Sequence, residues 1–388
     1  MTTYLFYLGR TPTLSIAELS ACFPGQTFER LSETIVQSSF LQPLDIKLWM
    51  NRLGGTTKIA QVLDEISTID GAYLSRQLFA LSNNKKISFG ISTFGVPEIG
   101  VNMLAEIKDM LAMQGVGSRF VLGKNGELSI VVIEKQGVSE IILLGVKNDR
   151  ILVGHTLAVQ PFEEWNRRDY SRPYADPKAG MLPPKVARMI VNIACYPLRQ
   201  TNNDERITLL DPFCGMGTIL AEAMLEGMTV IGSDNNEEAV KYAQKNLEWF
   251  TSMYRYIEAH FNVFVSDATH VSETLKPQSI DVIVTEPFMG PAAGGNDKFQ
   301  MSNDILQNRI KGLEKLYIGC LKDWYVVLKP RGIIVIALPK YIVQKREYFV
   351  KTVIDRCESL GYTILQGPLE YSRPQAVVRR EFYIFQKR

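Results

Sequence analysis

Asp211-Pro212-Phe213-Cys214-Gly215-Met216-Gly217-Thr218 is the stretch that decides the fold. Ahead of it, Ile207–Leu210 reads as a short apolar strand ending at Asp211, and behind it Thr218–Glu226 has helical spacing. A glycine turn that joins a strand to a helix is where a doubly wound sheet receives a nucleoside ligand, outside the carboxyl ends of its strands. Glycines there let the main chain come close to the ligand. The next strand, Thr229–Gly232, ends at Asp234, 23 residues beyond Asp211 and followed by Asn235. An acid at that place suits hydrogen bonds to two ribose hydroxyls. A third strand, Val263–Val265, ends at Asp267-Ala268, from which a side chain can reach an adenine amino group. Leu220 stands where a dinucleotide fingerprint has its third glycine, and no Lys-Ser/Thr pair follows as in a phosphate loop. The pattern therefore favours a nucleoside ligand without a pyrophosphate.

Further along, Glu237–Phe250 reads as a helix capped by Asn235 or Asn236, and Val282–Val284 as a strand ending at Thr285-Glu286. A long helix lies within Asp304–Leu328, and Ile333–Leu338 is the fifth strand. Strands alternating with helices predict an α/β, Rossmann-like parallel sheet covered on both faces. Thr363–Glu370 and Glu381–Gln386 are two more strands with no helix between them, which predicts a seven-stranded sheet with a C-terminal hairpin at one edge.

Towards the N-terminus the regular alternation gives way to an α+β mixture. Strands are expected at Tyr4–Leu8, Thr34–Gln37, Lys58–Leu63, Ile87–Thr93, Leu128–Glu134 and Glu140–Val146, with helices at Ser15–Cys22 and Asn102–Met113. Val159–Pro184 is rich in Pro, Arg and Tyr and reads as a linker, after which Pro183-Pro184 opens a helix over Lys185–Ala194.

Composition narrows the class. The 388 residues are 46% hydrophobic and 22% charged, enough for two globular cores. No apolar run is long enough to span a bilayer, and the first ten residues read as a strand with no leader, so no membrane association is expected. Five scattered cysteines without CxxC spacing, and three histidines, argue against a disulfide framework and against a metal site. They fit a reducing, cytoplasmic setting. Net charge is +2, and the one local excess of basic residues is Arg167, Arg168, Arg172, Lys178, Lys185 and Arg188, interrupted by Asp169 and Asp176. Such a cluster can meet phosphates.

The run 211–220, Asp-Pro-Phe-Cys-Gly-Met-Gly-Thr-Ile-Leu, resembles the first motif of class I methyltransferases that modify exocyclic amines of bases, and among them the THUMP-containing tRNA guanine-N2 methyltransferases. Similar stretches lie along most of the chain: Leu8-Gly9-Arg10 with Leu14–Leu19, Gly54–Ala60, Arg168-Asp169, Arg172-Pro173, Gly180–Lys185, Arg373-Pro374 and Arg379-Arg380-Glu381. The resemblance implies a ferredoxin-like piece at 1–55, a THUMP-like RNA-binding domain at 56–158, a linker at 159–185 and a methyltransferase domain at 186–388. It implies S-adenosyl-L-methionine as cofactor, held by Asp211, Pro212, Phe213, Cys214, Gly215, Gly217, Thr218, Asp234, Asn235, Asp267, Ala268 and Met181. It implies tRNA as partner, bound by the N-terminal region and the basic segment, and a small activator protein of the kind some relatives require.

Methyltransferases of this kind carry Asp/Asn-Pro-Pro-Tyr/Phe after the fourth strand. An acidic or amide oxygen and a backbone carbonyl there accept hydrogen bonds from the target amine, and the ring stacks on the base. This chain has Thr285-Glu286-Pro287-Phe288-Met289-Gly290-Pro291 instead. Two registers are open. Either Glu286 takes the acidic place with Pro287 after it, or Thr285 does, with Phe288 as the stacking ring. A carboxylate is the stronger acceptor, which favours Glu286. Gly294-Gly295-Asn296-Asp297 reads as a loop near substrate. The reading that follows is methyl transfer to guanine N2 in tRNA. The alternatives are another nucleic-acid amine (rRNA guanine or DNA adenine) or an RNA-binding protein of weakened activity.

Overall fold

The computed structural model describes residues 1–83, 85–175, 181–199, 206–255, 258, 260–290, 303–343, 345–372 and 376–388. Lys178, Gly180, the Gly294–Asp297 loop and Arg373-Pro374 lie outside these residues. The chain divides into two compact units, Met1–Pro12 with Gly25–Glu164, and Thr13–Pro24 with Trp165–Arg388.

The first unit contains β1 (Thr2–Leu8). It is followed by α1 (Pro12–Cys22), which belongs almost wholly to the second unit, and then by β2 (Glu29–Arg30), β3 (Ile35–Phe40), α2 (Ile46–Arg52), β4 (Thr56–Ile66) and α3 (Gly71–Ser82). It continues with β5 (Ile87–Phe94), α4 (Val101–Met113), β6 (Ser118–Phe120), α5 (Ile130–Gln136), β7 (Ser139–Gly145) and β8 (Ile151–Val159). All eight strands make one sheet, ordered β2-β3-β1-β4-β8-β7-β5-β6, so residues on either side of position 55 share a continuous ladder. Lys58 on β4 is buried and paired with Glu140 on β7 at 2.8 Å, while Ser92 and Thr156 donate to the same carboxylate. A buried charge satisfied this fully is tolerated, and it ties strands β4, β5, β7 and β8 together.

One expectation fails here. Leu128–Glu134, read as a strand from its β-branched run, is mostly helix α5. Ser129 caps it by accepting from Val132 N, and Gly137 ends it in the left-handed region, and these caps outweigh the propensity of Ile130-Val131-Val132.

After α1, the second unit takes in most of α6 (Phe162–Tyr170), a helix inside the stretch read as a linker, and α7 (Pro184–Arg199). Then β9 (Thr208–Asp211), α8 (Thr218–Leu225), β10 (Thr229–Asp234), α9 (Glu237–Met253), β11 (His260–Val265) and β12 (Ile280–Thr285) alternate. The chain ends with α10 (Asn303–Val327), β13 (Leu328–Val343), β14 (Arg346–Phe349), α11 (Lys351–Arg356), β15 (Tyr362–Tyr371) and β16 (Val378–Lys387). The sheet order is β11-β10-β9-β12-β13-β16-β15, with β14 pairing beside β13. β9 to β13 run parallel, whereas β16 is antiparallel to both of its neighbours, which is the expected edge hairpin.

Alternate residues face opposite layers, as the two-residue period of a strand requires. Leu209, Val282, Val284, Val335 and Phe382 pack against α1, α7, α8 and α9. Leu210, Ile283, Ile334, Ile336 and Phe385 pack against α10 and α11. Both faces are therefore dry, and all five strand-end turns of the parallel part open at one end of the sheet. Among the described residues no helix is long and apolar enough to cross a membrane, and no three His, Cys, Asp or Glu side chains converge as metal ligands.

Candidate functional site

The turn after β9 takes its shape from its own residues. Gly215 (φ +49°) and Gly217 (φ +80°) occupy the left-handed region, which side chains rarely enter. A Cβ on Gly215 would point into open space, leaving that face of the turn bare for a ligand. Cys214 N donates to Ser233 O at 2.9 Å and Gly217 N to Cys214 O at 2.7 Å, which folds the turn back over β10. Cys214 itself is buried and burial pushes its thiol well up, so it packs and does not react. Leu220, the residue in place of a third glycine, fits because the room is made in the strand. A Cβ on Gly232 of β10 would come within 2.5 Å of Leu220 and 3.0 Å of Cys214.

Asp234, half-buried at the end of β10, accepts from Gly215 N and Asn236 N, each at 3.0 Å. It thus supports the turn as well as facing the ligand place. Asn236, not Asn235, caps α9 by accepting from Glu238 N and Ala239 N, and Asn235 is exposed beside Asp234. Asp267 is exposed after β11, and hydrogen bonds from the Thr269 N–H and hydroxyl hold its carboxyl below the usual range. Ala268 is buried, its carbonyl fixed by Trp324 Nε1 at 2.9 Å. Pro212 is buried, and the Phe213 ring lies edge-on to Trp324. Met181 is half-buried just ahead of α7.

Asp211 is buried at the end of β9, where desolvation is the main force raising its carboxyl, to about 7. Thr285 at the end of β12 donates to it at 2.7 Å, and Phe213 N at 3.2 Å. The Thr285 hydroxyl is therefore engaged inside the sheet. Glu286 points the other way, with its side chain 17% exposed and ion-paired to Arg380 of β16, itself 14% exposed. Pro287 is buried and Phe288 is 55% exposed. The turn is pinned from behind: Tyr317 on α10 donates to Phe288 O at 2.7 Å, and Tyr341 on β13 donates to Met289 O. Gly290 (φ +88°) passes so close to Tyr341 that a Cβ there would sit 2.6 Å from its hydroxyl. The turn's own motif does not point to Tyr317, Tyr341 or Arg380 as its supports.

The basic segment needs correcting. Arg168 and Arg188 are 8% and 2% exposed, and both pair with Glu222 at 2.8 Å, while Arg188 also holds Glu226 at 2.8 Å. Arg168 stacks on the Trp165 ring at 3.7 Å. These cations join α6, α7 and α8 and are not offered to phosphates. Removing one partner from such a buried pair typically costs about 3–5 kcal/mol. The Arg172 side chain is 6% exposed and donates to Thr218 Oγ1 at 2.8 Å. Burial pulls its guanidinium down, opposed by Asp169 and Glu222. Of the expected segment, Arg167 is exposed and Lys185 half-buried.

The residues present fit S-adenosylmethionine. The bare face of Gly215, Asp234 beside it and Asp267 one strand further lie at one end of the sheet, where they could give main-chain approach, a ribose acceptor and an adenine acceptor. Sheet order, antiparallel last strand and glycine turn define a class I methyltransferase domain, the fold class built around that cofactor. The family description "Methyltransferase domain" matches residues 203–372, and "DNA methylase" matches 139–245. The tRNA (guanine(10)-N2)-dimethyltransferase of Pyrococcus abyssi is 31% identical over 223 residues, 58% of this chain and 53% of that protein. A probable tRNA (guanine(10)-N2)-dimethyltransferase of Methanothermococcus thermolithotrophicus is 31% identical over 127 residues, 32% of this chain and 74% of that protein. The chain belongs to this tRNA (guanine(10)-N2)-dimethyltransferase family. It spans about half the length of the curated relatives that it matches over the longest stretches. A possible methylase from Clostridium difficile covers 98% of this chain and 97% of its own at 12% identity and a TM-score of 0.47.

Proposed function

We propose that the protein methylates the exocyclic N2 of a guanosine in tRNA, position 10 being the one named for its relatives. The observation that carries this reading is the Glu286-Pro287-Phe288 turn beside the cofactor turn, on the neighbouring strand. Bound S-adenosylmethionine supplies an electrophilic methyl group. The chain's part is to aim an amine at it. Glu286 accepts an N–H of the amine, which raises electron density on the nitrogen and fixes its lone pair in line. The Pro287 carbonyl, which has no donor among the described residues, accepts the second N–H. Phe288 offers its exposed ring to the base, a contact worth about 1–3 kcal/mol. Arg380 holds the Glu286 carboxylate, and that support suits a side chain one methylene longer than the aspartate of the usual motif. The Thr285 register is less favoured because its side chain is fully buried at the end of β12 against Asp211, whereas Glu286 is partly exposed.

The N-terminal unit is read as the ferredoxin-like piece and THUMP-like domain that hold the tRNA, in a reducing cytoplasm consistent with five buried free cysteines. The activator protein stays an expectation of the resemblance. The test is transfer of labelled methyl to an unmodified tRNA transcript, an rRNA fragment and an adenine-containing DNA duplex. Label in tRNA alone, recovered as N2-methylguanosine, is expected. Label in the DNA or rRNA alone would replace this substrate with another nucleic-acid amine.

A further inference from the structure

We propose that Arg172, Tyr174 and Asn246 form a clasp on the cofactor turn, so that residues 171–175 just after α6 set how tightly S-adenosylmethionine is held. The inference rests on reading Gly215–Thr218 as the cofactor turn. Asn246 on α9 is 6% exposed and uses its amide in both directions. Its Nδ2 donates to Met216 O and to Tyr174 O, and its Oδ1 accepts from Tyr174 N, all at 3.0 Å. Arg172 reaches Thr218 Oγ1 at 2.8 Å while its Nε and Nη2 rest on the Asp169 carbonyl at 3.3 and 3.2 Å. The Tyr174 ring stacks on Tyr242 of α9 at 4.5 Å and 13°, and Lys245 Nζ touches its hydroxyl at 3.3 Å. The turn is therefore held on both sides of Gly217: at Thr218 by Arg172 directly, and at Met216 by Asn246, whose amide the Tyr174 main chain fixes in place.

The grip matters because of what it grips. Two glycines at positive φ make the turn intrinsically mobile, and ordering it during binding would weaken affinity. Holding the turn in advance removes that cost from the binding step. Asparagine suits the place because its side chain is both donor and acceptor, which neither Asp nor Leu reproduces. Linkage then requires the converse: whatever the clasp adds to cofactor affinity, bound cofactor adds to the clasp.

The experiment uses the full chain and S-adenosylhomocysteine as probe. Calorimetry gives affinities for the wild type, N246A, R172A, T218V and R172A/T218V, and hydrogen exchange follows the Tyr174 amide. N246A is expected to weaken binding about ten- to a hundredfold, since three hydrogen bonds go. R172A is expected to weaken it roughly three- to tenfold, and T218V to add little in the R172A background, because the two remove one contact. The probe should slow exchange at Tyr174 in the wild type and not in N246A. If N246A does not fold, R172A, the double-mutant cycle and wild-type exchange decide. Affinities within twofold of wild type in the folded variants, or Tyr174 exchange indifferent to the probe, would overturn the clasp alone. A wild-type chain that does not bind the probe would overturn the cofactor reading, and the clasp with it.

Discussion

The turn after β9 and the turn after β12 end neighbouring strands at the same end of one sheet and are joined by the Thr285–Asp211 hydrogen bond, yet they are built on opposite principles. The first carries its conformation in its own letters: two glycines at positive φ, and an acid on the next strand that accepts from the main chain of Gly215. The second is shaped from outside, by Tyr317, Tyr341 and Arg380, which lie 29, 52 and 94 residues downstream of the groups they hold. A turn that encodes itself must keep its motif. A turn held by distant side chains can exchange Asp-Pro-Pro for Glu-Pro-Phe if its supports change with it.

The contrast makes predictions that separate the two turns. The largest effect is expected from Glu286→Ala, with methyl transfer falling about a hundred- to a thousandfold while S-adenosylhomocysteine affinity stays within about twofold. Turnover and cofactor affinity measured on the same preparation check this, and a parallel loss of both would put Glu286 on the cofactor side. Asp234→Ala should do the reverse. It removes the proposed charged acceptor of the ribose, the bond that holds Gly215 of the turn and the bond from Asn236 N, so affinity should drop on the order of a hundredfold while turnover at saturating cofactor changes less. Arg380→Ala should cost roughly tenfold in turnover, and nothing further when combined with Glu286→Ala. Additive losses in that cycle would mean that Arg380 acts elsewhere.

The smallest effect on activity is expected from Asp211→Asn, which keeps an oxygen for Thr285 and Phe213. Its signature is in stability. The folded carboxyl, raised by burial to about 7, binds its proton more tightly than the unfolded one, whose ordinary value is 3.8. The wild type therefore loses stability as pH rises from about 4 to about 7, by up to a few kcal/mol, and is flat above that from this group. Urea midpoints at pH 5 and pH 8 should differ less in Asp211→Asn than in the wild type. An identical pH slope in both would show that Asp211 ionises normally.

What was legible in the sequence follows the same division. The glycine turn, Asp234, the parallel alternation and the edge hairpin rest on local pattern, and each stands where the spacing put it. Leu128–Glu134 reads as a strand because four β-branched residues, Ile130–Ile133, are weighed without the Ser129 and Gly137 caps that flank them. The basic segment was misread because its acidic partners, Glu222 and Glu226, lie on a helix far along the chain. Spacing offered one clue: Glu222 on an otherwise apolar helix and Glu226 at its C-cap stand one turn apart and demand cations. Tyr317 also left a trace. It falls on the buried stripe of α10 with Leu306, Ile310, Leu313 and Leu321, where a hydroxyl needs a partner.

The central claim, transfer to an exocyclic guanine nitrogen, is tested most directly by removing that nitrogen. A tRNA transcript with inosine in place of guanosine 10 lacks only the N2 amine at that position, and it can be compared with the parent transcript for uptake of labelled methyl. The account predicts label in the parent as N2-methylguanosine and none at inosine. Label retained at inosine 10, or parent label recovered on a ring nitrogen or a ribose, would contradict it.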